Sequence, residues 1–334
     1  MRFDLSDDQR EIQGTARELL AARAGWPQVR EHAEARTLDE ALWSELSELG
    51  WPGIAVAEEH GGLGLGMVEL CVLGEELGAT VAPVPLLGSA LAALVLEDAG
   101  SADEQAEHLP GLAAGEVRGA LAPVGQLAPD AGGAALVVTA DPAETAAALA
   151  GPEAITAIDA IDPTRSHGTA DAVAGETLVG DVATGLHRAT IAVSAELVGV
   201  CRRSLEMTVA YVRERKQFGV PVGGFQAVQH AAALMLRDTE AARVATYHAA
   251  WAADAAPERL AGAAAMAKAA ASDAGRSVTA AAVQLHGGIG FTWEADVHWL
   301  LKRAQVDAAF LGAGGTHRAR LAAAYAAERS GAPA

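Results

Sequence analysis

Residues 213–230 read RERKQFGVPVGGFQAVQH, and this stretch decides the fold. From Ile191 onward, apolar residues recur mostly every three or four positions, which predicts one long helix that ends near Lys216. After the Gly219–Gly224 turn, a second long helix is predicted from Gln226. The stretch is therefore a corner between two helices, and it gathers cations, Phe and Gln side chains in one place.

The rest of the C-terminal half has the same helical pattern, with short links between long apolar periods. Long antiparallel helices joined by short links favour a four-helix bundle. The expected helices run from about Thr184 to Lys216, Gln226 to Asp254, Glu258 to His286, Asp296 to Val306 and Thr316 to Glu328.

The N-terminal third is a second helical unit. Ser6 and Gln9 form a capping-box pattern that opens a helix reaching about Arg23. Another helix carries apolar residues at helical spacing across Leu42–Leu49. The GLGLG run at residues 62–66 is typical of a tight loop before a helix rather than of a dinucleotide loop, because no strong buried strand leads into it.

The middle of the chain changes character. The short β-like runs RGALAPV, AALVVTA and AITAIDAI are separated by Gly, Pro and Asp, and no long helical period is present. The predicted fold class is mainly α with a small central β unit. The predicted boundaries are 1–112 for an N-terminal helical domain, 113–183 for a reduced β middle domain and 184–334 for a C-terminal helical bundle.

Composition limits the function. The 334 residues include 24 Lys and Arg against 43 Asp and Glu, which gives a net charge of −19. This balance disfavours nucleic-acid or anionic-membrane binding, since both need a cationic face. Cys71 and Cys201 lie far apart in apolar helical patterns and are expected to be core thiols. Neither a signal-peptide pattern nor an uncharged membrane-length segment is found, so a cytoplasmic location is expected.

The corner itself has two possible explanations. Arg213, Arg215 and Lys216 lie in the last turn of a predicted helix, where cations are favoured, and most such clusters are solvated helix ends. The segment QLHGGIGFTWE, residues 284–294, adds a second helix end with a polar amide and two adjacent glycines that let a ligand approach the backbone. Together the two ends are suited to a pyrophosphate and an adenine.

These segments resemble the acyl-CoA dehydrogenase family. The resemblance is carried by ERKQFGVPVGGFQAVQH, by QLHGGIGFTWEADVHWLLKRA and by the N-terminal LGWPGIAVAEEHGGLGLG. It covers roughly residues 1–112 and 184–330, and it implies an N-terminal helical domain, a middle β domain and a C-terminal four-helix domain. It also implies FAD and the oxidation of an acyl-CoA to a trans-2-enoyl-CoA, in which a Glu removes the α-proton and the β-hydride goes to flavin N5.

In this family each FAD lies across a subunit interface. The resemblance therefore implies that the C-terminal bundle of this chain grips the pyrophosphate and adenine of a cofactor whose flavin ring rests on a partner's middle domain. The implied cofactor-binding residues are Arg215 at the pyrophosphate with Gln217 and Phe218 beside it, Gln226 near the adenine, and Gln284, Gly287 and Gly288 over the adenosine end. No metal is implied.

The middle region departs from the family pattern. Relatives usually carry a TEPGSGSD-like loop under the flavin and a Trp-Ser or Trp-Thr contact on the next strands. Residues 113–183 contain no such loop and no Trp or Phe, and the region is shorter than a full middle domain. The sequence therefore predicts that this chain is poorly equipped to seat a flavin ring.

The catalytic Glu of the family is also missing. Where many relatives have Tyr-Glu-Gly-Thr, this chain reads FLGAGGTHRARL, with Gly312 or Gly314 at the Glu position. Other relatives carry the Glu on the first helix of the C-terminal domain, and that position falls near Ala189. Glu196 lies about 10 Å farther along this helix. Asp307 is expected to be an ion-pair or solvent residue, so no catalytic residue is assigned to this chain.

Sterol-degrading bacteria have acyl-CoA dehydrogenases built from two related chains in an α2β2 tetramer, where one chain carries the base and the flavin seat and the other has lost both. The sequence resembles the second type of chain. The implied partners are a longer homologous chain, an acyl-CoA such as a steroid side-chain CoA thioester, and an electron-transfer protein. Two alternatives stay open: a homomeric flavoenzyme that uses Glu196, Asp307 or a different reaction, and a flavin-free scaffold protein of the same fold.

Overall fold

The computed structural model describes residues 4–330, apart from the side chains of residues 328 and 330. Helices make up most of this range. They are α1 Asp7–Arg23, α2 Trp26–Ala35, α3 Glu40–Glu48, α4 Met67–Thr80, α5 Leu86–Ala99, α6 Ala102–Ala113, α7 Val182–Glu214, α8 Gln226–Ala255, α9 Leu260–His286, α10 Val297–Asp307 and α11 Gly314–Ser330.

The strands are short and most lie between α6 and α7. They are β1 Gly119–Pro123, β2 Ala128–Pro129, β3 Leu136–Ala140, β4 Ala147–Ala150, β5 Thr156–Ile158, β6 His167–Thr169, β7 Glu176–Thr177, β8 Lys216–Gln217 and β9 Val220–Pro221. One sheet has the order β1-β3-β4-β7 and a second has the order β2-β6-β5, while β8 and β9 form a separate hairpin. Within the first sheet β1 pairs parallel to β3, and the other pairs are antiparallel.

The predicted fold class is confirmed, and so are several local signals. Ser6 caps α1 through the predicted box, accepting from the backbone N–H of Gln9 while the Gln9 side chain accepts from the Ser6 backbone. The GLGLG run is a loop that leads into α4, and each of the three predicted β runs contains a strand. No individual prediction covered α2, α5 and α6 or strands β2, β4 and β6 to β9. The boundaries after residues 112 and 183 stay predictions, and residues 331–334 of the predicted bundle lie outside the described residues.

Two helices build the centre of the molecule. Helix α5 is apolar on every side and almost wholly buried, as expected for a core helix. Helix α7 packs on α4, α5, α8 and α9, so it joins the N-terminal helices to the bundle. A Cβ added at Gly78 of α4 would lie less than 3.0 Å from the carbonyl oxygen of Glu196, and one at Gly199 of α7 would crowd the carbonyl of Glu75 in the same way. The α4–α7 crossing therefore depends on these two glycines.

Cys71 and Cys201 are buried free thiols, as predicted, and burial raises the pKa of both well out of the reactive range. Among the described residues, no helix is both long and apolar enough to cross a membrane.

Candidate functional site

The ends of three helices meet at the predicted corner. Helix α7 ends at Glu214, with Arg215 as its C-cap, and α9 ends at His286. The rings of Tyr211 and His286 stack with centroids 4.6 Å apart, which brings these two ends together. Helix α8 starts at Gln226, directly after the β8–β9 hairpin. The two motifs that the sequence separates thus lie at the same end of the bundle.

The hairpin holds Phe218 away from the protein. Phe218 and Gly219 both have positive φ angles, 53° and 83°, which is the pattern of a type I′ turn. A bulky residue rarely adopts this conformation, and such outliers concentrate at functional sites. Phe218 is 95% exposed and makes an edge-on contact with Phe225 at 6.3 Å between centroids.

The cations of the corner are available to a ligand. Arg213, Arg215 and Lys216 are all exposed, and none of them forms an ion pair with any residue that the structure describes. By contrast, Arg165 and Arg303 in the interior are each held by carboxylates. The corner therefore offers a local positive site on an acidic protein.

The glycine segment after α9 leaves its backbone open. Gly287 has a φ of 65° and follows the last turn of α9, and a Cβ placed at Gly287 or Gly288 would meet nothing within 4 Å. Gln284, one turn earlier, is exposed, as are Gln217 and Gln226. All seven predicted cofactor-binding residues are thus on the surface at or beside this end of the bundle. Their individual roles stay predictions.

The two candidate surrogate bases lie elsewhere, inside the protein. Glu196 and Asp307 are fully buried in what we call the ion cluster, which consists of Asp130, Asp162, Arg165, Glu196, Arg303 and Asp307. Arg165 contacts Glu196 and lies 3.4 Å from Asp307, while Arg303 Nη1 donates to Glu196 Oε1 at 2.7 Å. The sequence led us to expect Asp307 either in an ion pair or in solvent. It is buried and lies in the ion cluster, so the first expectation is confirmed.

The positions where relatives place the Glu carry no acid in this chain. Ala189 is completely buried in the core. Gly312 has a φ of 97°, a conformation that favours glycine, and Gly314 begins α11. None of these three residues carries a carboxylate, and the exposed acid beside Gly314, Asp273, pairs with Arg318.

Sequence reasoning missed the partners that hold the two acids. Arg303 follows Leu300 by three residues on the apolar face of α10, and an Arg on an apolar stripe signals a buried ion pair. Arg165 gave no comparable signal, because it lies in an irregular link between β5 and β6.

A cavity of about 490 Å³ lies away from the corner, between α1, α4 and α8, with Tyr247 and Trp251 among its lining residues. Gln226 and Tyr247 are about 31 Å apart along α8 by its rise per residue. This cavity therefore does not belong to the corner.

Comparison with known proteins identifies the family. The N-terminal domain of acyl-CoA dehydrogenases matches residues 6–116, and the C-terminal domain of the same family matches residues 180–326. The chain belongs to the acyl-CoA dehydrogenase family. FAD is the cofactor of this family, whose members are oxidoreductases that act on acyl-CoA.

Several relatives match along nearly their whole length. The acyl-CoA dehydrogenase IpdE2 of Mycobacterium tuberculosis is 35% identical over 314 residues, which cover 91% of this chain and 93% of that protein. A solved Tcur3481-Tcur3483 steroid ACAD variant matches with a TM-score of 0.86 and 32% identity over 97% of this chain and 99% of its own. One chain of the ChsE4-ChsE5 complex from Mycobacterium tuberculosis matches with a TM-score of 0.86 and 25% identity. The match covers the full length of this chain and of that one.

The residues at the corner fit the adenosine diphosphate part of FAD. Arg215 would supply an unpaired guanidinium to a pyrophosphate, and the open backbone of Gly287 and Gly288 would admit a close ligand. The exposed amides of Gln226 and Gln284 would provide donors and acceptors for an adenine. Bound FAD supplies the hydride acceptor of acyl-CoA oxidation.

Proposed function

We propose that this chain is one subunit of a heteromeric, FAD-dependent acyl-CoA dehydrogenase. It contributes the adenine and pyrophosphate half of a shared FAD site, while a partner chain supplies the catalytic Glu and the seat of the flavin ring. The substrate class is an acyl-CoA, with a steroid side-chain CoA thioester as the favoured member. The acceptor of the electrons is an electron-transfer protein.

The observation that carries this proposal is a contrast between two parts of the same chain. The corner keeps exposed and unpaired cations, open glycines and amides. Glu196 and Asp307, the two candidate surrogate bases, are buried and held by arginines. A general base must reach the substrate proton, directly or through one water. The chain is thus equipped to hold a cofactor and not to abstract a proton.

A partner is supported by the surface around the corner. Phe218, Phe291 and Trp293 are 95%, 78% and 72% exposed. Clustered exposed aromatic side chains are typical of protein interfaces rather than of free surface. The solved relatives also include pairs of different chains, the Tcur3481-Tcur3483 steroid ACAD and the ChsE4-ChsE5 complex. The partner proposed for this surface is a longer homologue that carries the base.

The chemistry requires both halves. The α-proton of a thioester is a weak acid, so its removal needs a placed base and hydrogen bonds to the carbonyl oxygen. Residues of this chain act on binding: Arg215 fixes the pyrophosphate, and Gln284 with the glycine segment positions the adenosine end. Their contribution is the orientation of the cofactor against a substrate held by the partner.

The test is the substitution Arg215→Ala in the coexpressed complex. A hydrogen bond to a charged group contributes about 1.5–3 kcal/mol, so we expect FAD affinity to fall by at least about tenfold. Arg213→Ala, on the same helix end and equally unpaired, is the matched control and is expected to change affinity by less than about threefold. Flavin stoichiometry and affinity are measured by fluorescence titration of the apo complex. Unchanged affinity in Arg215→Ala, with the fold intact, contradicts the shared site.

Purification of the chain alone separates the two alternatives. A homomeric flavoenzyme is a stable yellow oligomer with acyl-CoA oxidising activity, and a scaffold protein is stable and colourless. The proposed subunit carries little or no flavin without its partner and gains it on coexpression. Stable flavin and turnover in the isolated chain would favour the homomeric alternative.

A further inference from the structure

The ion cluster contains more acids than bases. Its four carboxyl groups face the guanidinium groups of Arg165 and Arg303, and all six side chains are buried. Lys268 lies beside the cluster, but its ammonium donates to the backbone oxygen of Asp307 at 2.8 Å and to Ser272 Oγ at 2.9 Å. Even with Lys268 charged, four ionised carboxyls leave one uncompensated negative charge inside the protein. An unpaired buried charge is strongly unfavourable.

The hydrogen bonds show where the excess lies. Asp162 is well satisfied, since one oxygen accepts from Arg303 Nε at 2.6 Å and the other accepts from the backbone and hydroxyl of Thr164. Asp307 has the poorest set: Oδ1 is 3.4 Å from Arg165 Nη1, and Oδ2 has no hydrogen-bond partner among the described residues. Glu196 Oε1 accepts from both arginines, while its Oε2 also lacks a partner in the described chain.

We propose that Glu196 and Asp307 form a buried proton-binding site and share one proton, which resides mainly on Asp307. The proton turns Asp307 into a hydrogen-bond donor and leaves Glu196, which keeps two arginine contacts, as the acceptor. One proton thus serves the two oxygens that lack a hydrogen-bond partner, Glu196 Oε2 and Asp307 Oδ2, and it removes the excess negative charge. Both acids contact Arg165, so they face the same guanidinium.

The surroundings of the pair agree with this assignment. Burial, followed by the charge of Glu196, raises the pKa of Asp307 well above its ordinary value. Arg165 and Arg303 outweigh burial at Glu196 and lower its pKa. The charged groups facing the pair are Arg165 and Asp162 from the link before β6, Lys268 from α9 and Arg303 from α10. Asp130, directly after β2, faces the same Arg165 with its Oδ1 3.9 Å from Nε, and burial raises its pKa too, but its Oδ2 accepts from the backbone N–H of Gly88 at 2.9 Å. Burial lowers the pKa of nearby His167 to about 4, so that ring is neutral at neutral pH.

The site joins the strands to the bundle. Arg165 reaches from the strand region to Glu196 of α7 and Asp307 of α10, and Arg303 of α10 reaches back to Asp162 and Thr164. Loss of the proton puts a net negative charge between these two parts. Because the folded state raises the pKa of Asp307, its contribution to stability is complete below the ordinary pKa and is lost as pH rises through the folded pKa.

Infrared spectroscopy of the full-length chain, with its partner if the complex is needed for solubility, tests the site directly. At neutral pH we expect the C=O stretch of a protonated carboxylic acid, shifted in heavy water and absent in Asp307→Asn. Asp273→Asn is the control, because Asp273 is exposed and pairs with Arg318 at the surface, and it is expected to leave the band unchanged. Identical acid bands in the unmodified chain and in Asp307→Asn overturn the proposal.

A second variant tests whether the proton is shared. In Glu196→Gln the neighbouring charge is gone and the arginines favour an ionised Asp307, so the band is expected to disappear. A band that persists shows that burial alone protonates Asp307 and refutes the shared site. If Glu196→Gln does not fold, the test is the pH dependence of the free energy of unfolding, compared between the unmodified chain and Asp307→Asn.

The same comparison removes the contribution of Lys268. Burial lowers the pKa of Lys268 to about 7, so its titration changes stability with pH in the opposite direction to that of Asp307. Lys268 is present in both proteins, so their difference isolates Asp307 to first order. We expect the unmodified chain to lose stability relative to Asp307→Asn as pH rises from the ordinary pKa of an Asp, about 4, to neutral pH. Parallel curves over this range contradict the proposal.

Discussion

Asp162 and Asp307 are the same residue type in the same buried cluster, yet they ionise differently. Burial penalises both charged forms. At Asp162 the charge of Arg303 and the hydrogen bonds of Thr164 outweigh burial and lower the pKa to about 2. Asp307 has one long contact to Arg165 and the charge of Glu196 nearby, so its pKa is raised. The number of donors around each carboxylate decides its charge.

At the same scale, neither acid is expected to act in catalysis. Loss of a true general base lowers the rate by roughly 10²–10⁴. We expect Glu196→Gln and Asp307→Asn, made in the coexpressed complex, each to keep turnover per bound flavin within about threefold. Substitution of the partner's catalytic Glu is expected to abolish turnover. The measurement is steady-state oxidation of an acyl-CoA with an artificial acceptor.

Stability must be followed in parallel. Removal of one member of a buried ion pair costs roughly 3–5 kcal/mol, and Gln retains one acceptor oxygen, so we expect Glu196→Gln to lose at most about 3 kcal/mol. Asp307→Asn keeps a donor and is expected to change stability by less than about 1 kcal/mol. A thousandfold loss of turnover in folded, flavin-loaded Glu196→Gln would show that the base has moved to Glu196.

The corner was predictable from sequence and the ion cluster was not. Residues of the corner sit in two contiguous motifs, so their order along the chain reveals them. The cluster joins Arg165 to Asp307 and Arg303 to Asp162, pairs more than 100 residues apart that only the tertiary fold brings together. A single sequence shows that Glu196 is displaced from the base position, but it does not show that Arg165 and Arg303 pair with its carboxylate.

Among the elements, long helices were predicted best because their apolar periods are long. Helix α2 has only Val29 and Ala33 buried, which is too short a stripe to recognise. Strand β4 is formed by AALA, and Ala is depleted in strands, so its pairing with β3 overrides local propensity. Tertiary contacts thus decide the elements that local patterns leave weak.

The α4–α7 crossing gives a prediction at this scale. Gly78→Ala forces a methyl group against the backbone of Glu196, so we expect a loss of about 1–3 kcal/mol in the free energy of unfolding, or more if the helices separate. Gly14→Ala in α1 is the matched control, since its Cβ meets nothing within 4 Å, and it is expected to gain about 0.5–1 kcal/mol. Urea unfolding monitored by circular dichroism measures both. Equal effects of the two substitutions would contradict close packing at the crossing.

For the whole molecule, charge and exposed apolar surface point in one direction. The chain carries a net charge of −19, yet one end of the bundle presents three unpaired cations. Apolar residues are also exposed along α8, where Leu234, Leu236 and Val244 are each at least half exposed. Such surfaces are costly in water for an isolated chain. We propose that an assembly covers both the corner and the α8 face.

We therefore predict a 2+2 complex with a longer homologue that carries the catalytic Glu. A chain whose cofactor clamp faces outward needs a second chain to complete each site, and closed assemblies with twofold symmetry are the commonest solution. Coexpression followed by size-exclusion chromatography and native mass spectrometry is expected to give two copies of each chain with two FAD. Phe218→Asp, which puts a charge at the exposed hairpin tip, is expected to weaken assembly and flavin retention together, whereas Leu63→Asp in the exposed loop before α4 serves as the control. A stable, active homotetramer of this chain without any partner would refute the assembly, and with it the division of the FAD site between two different subunits.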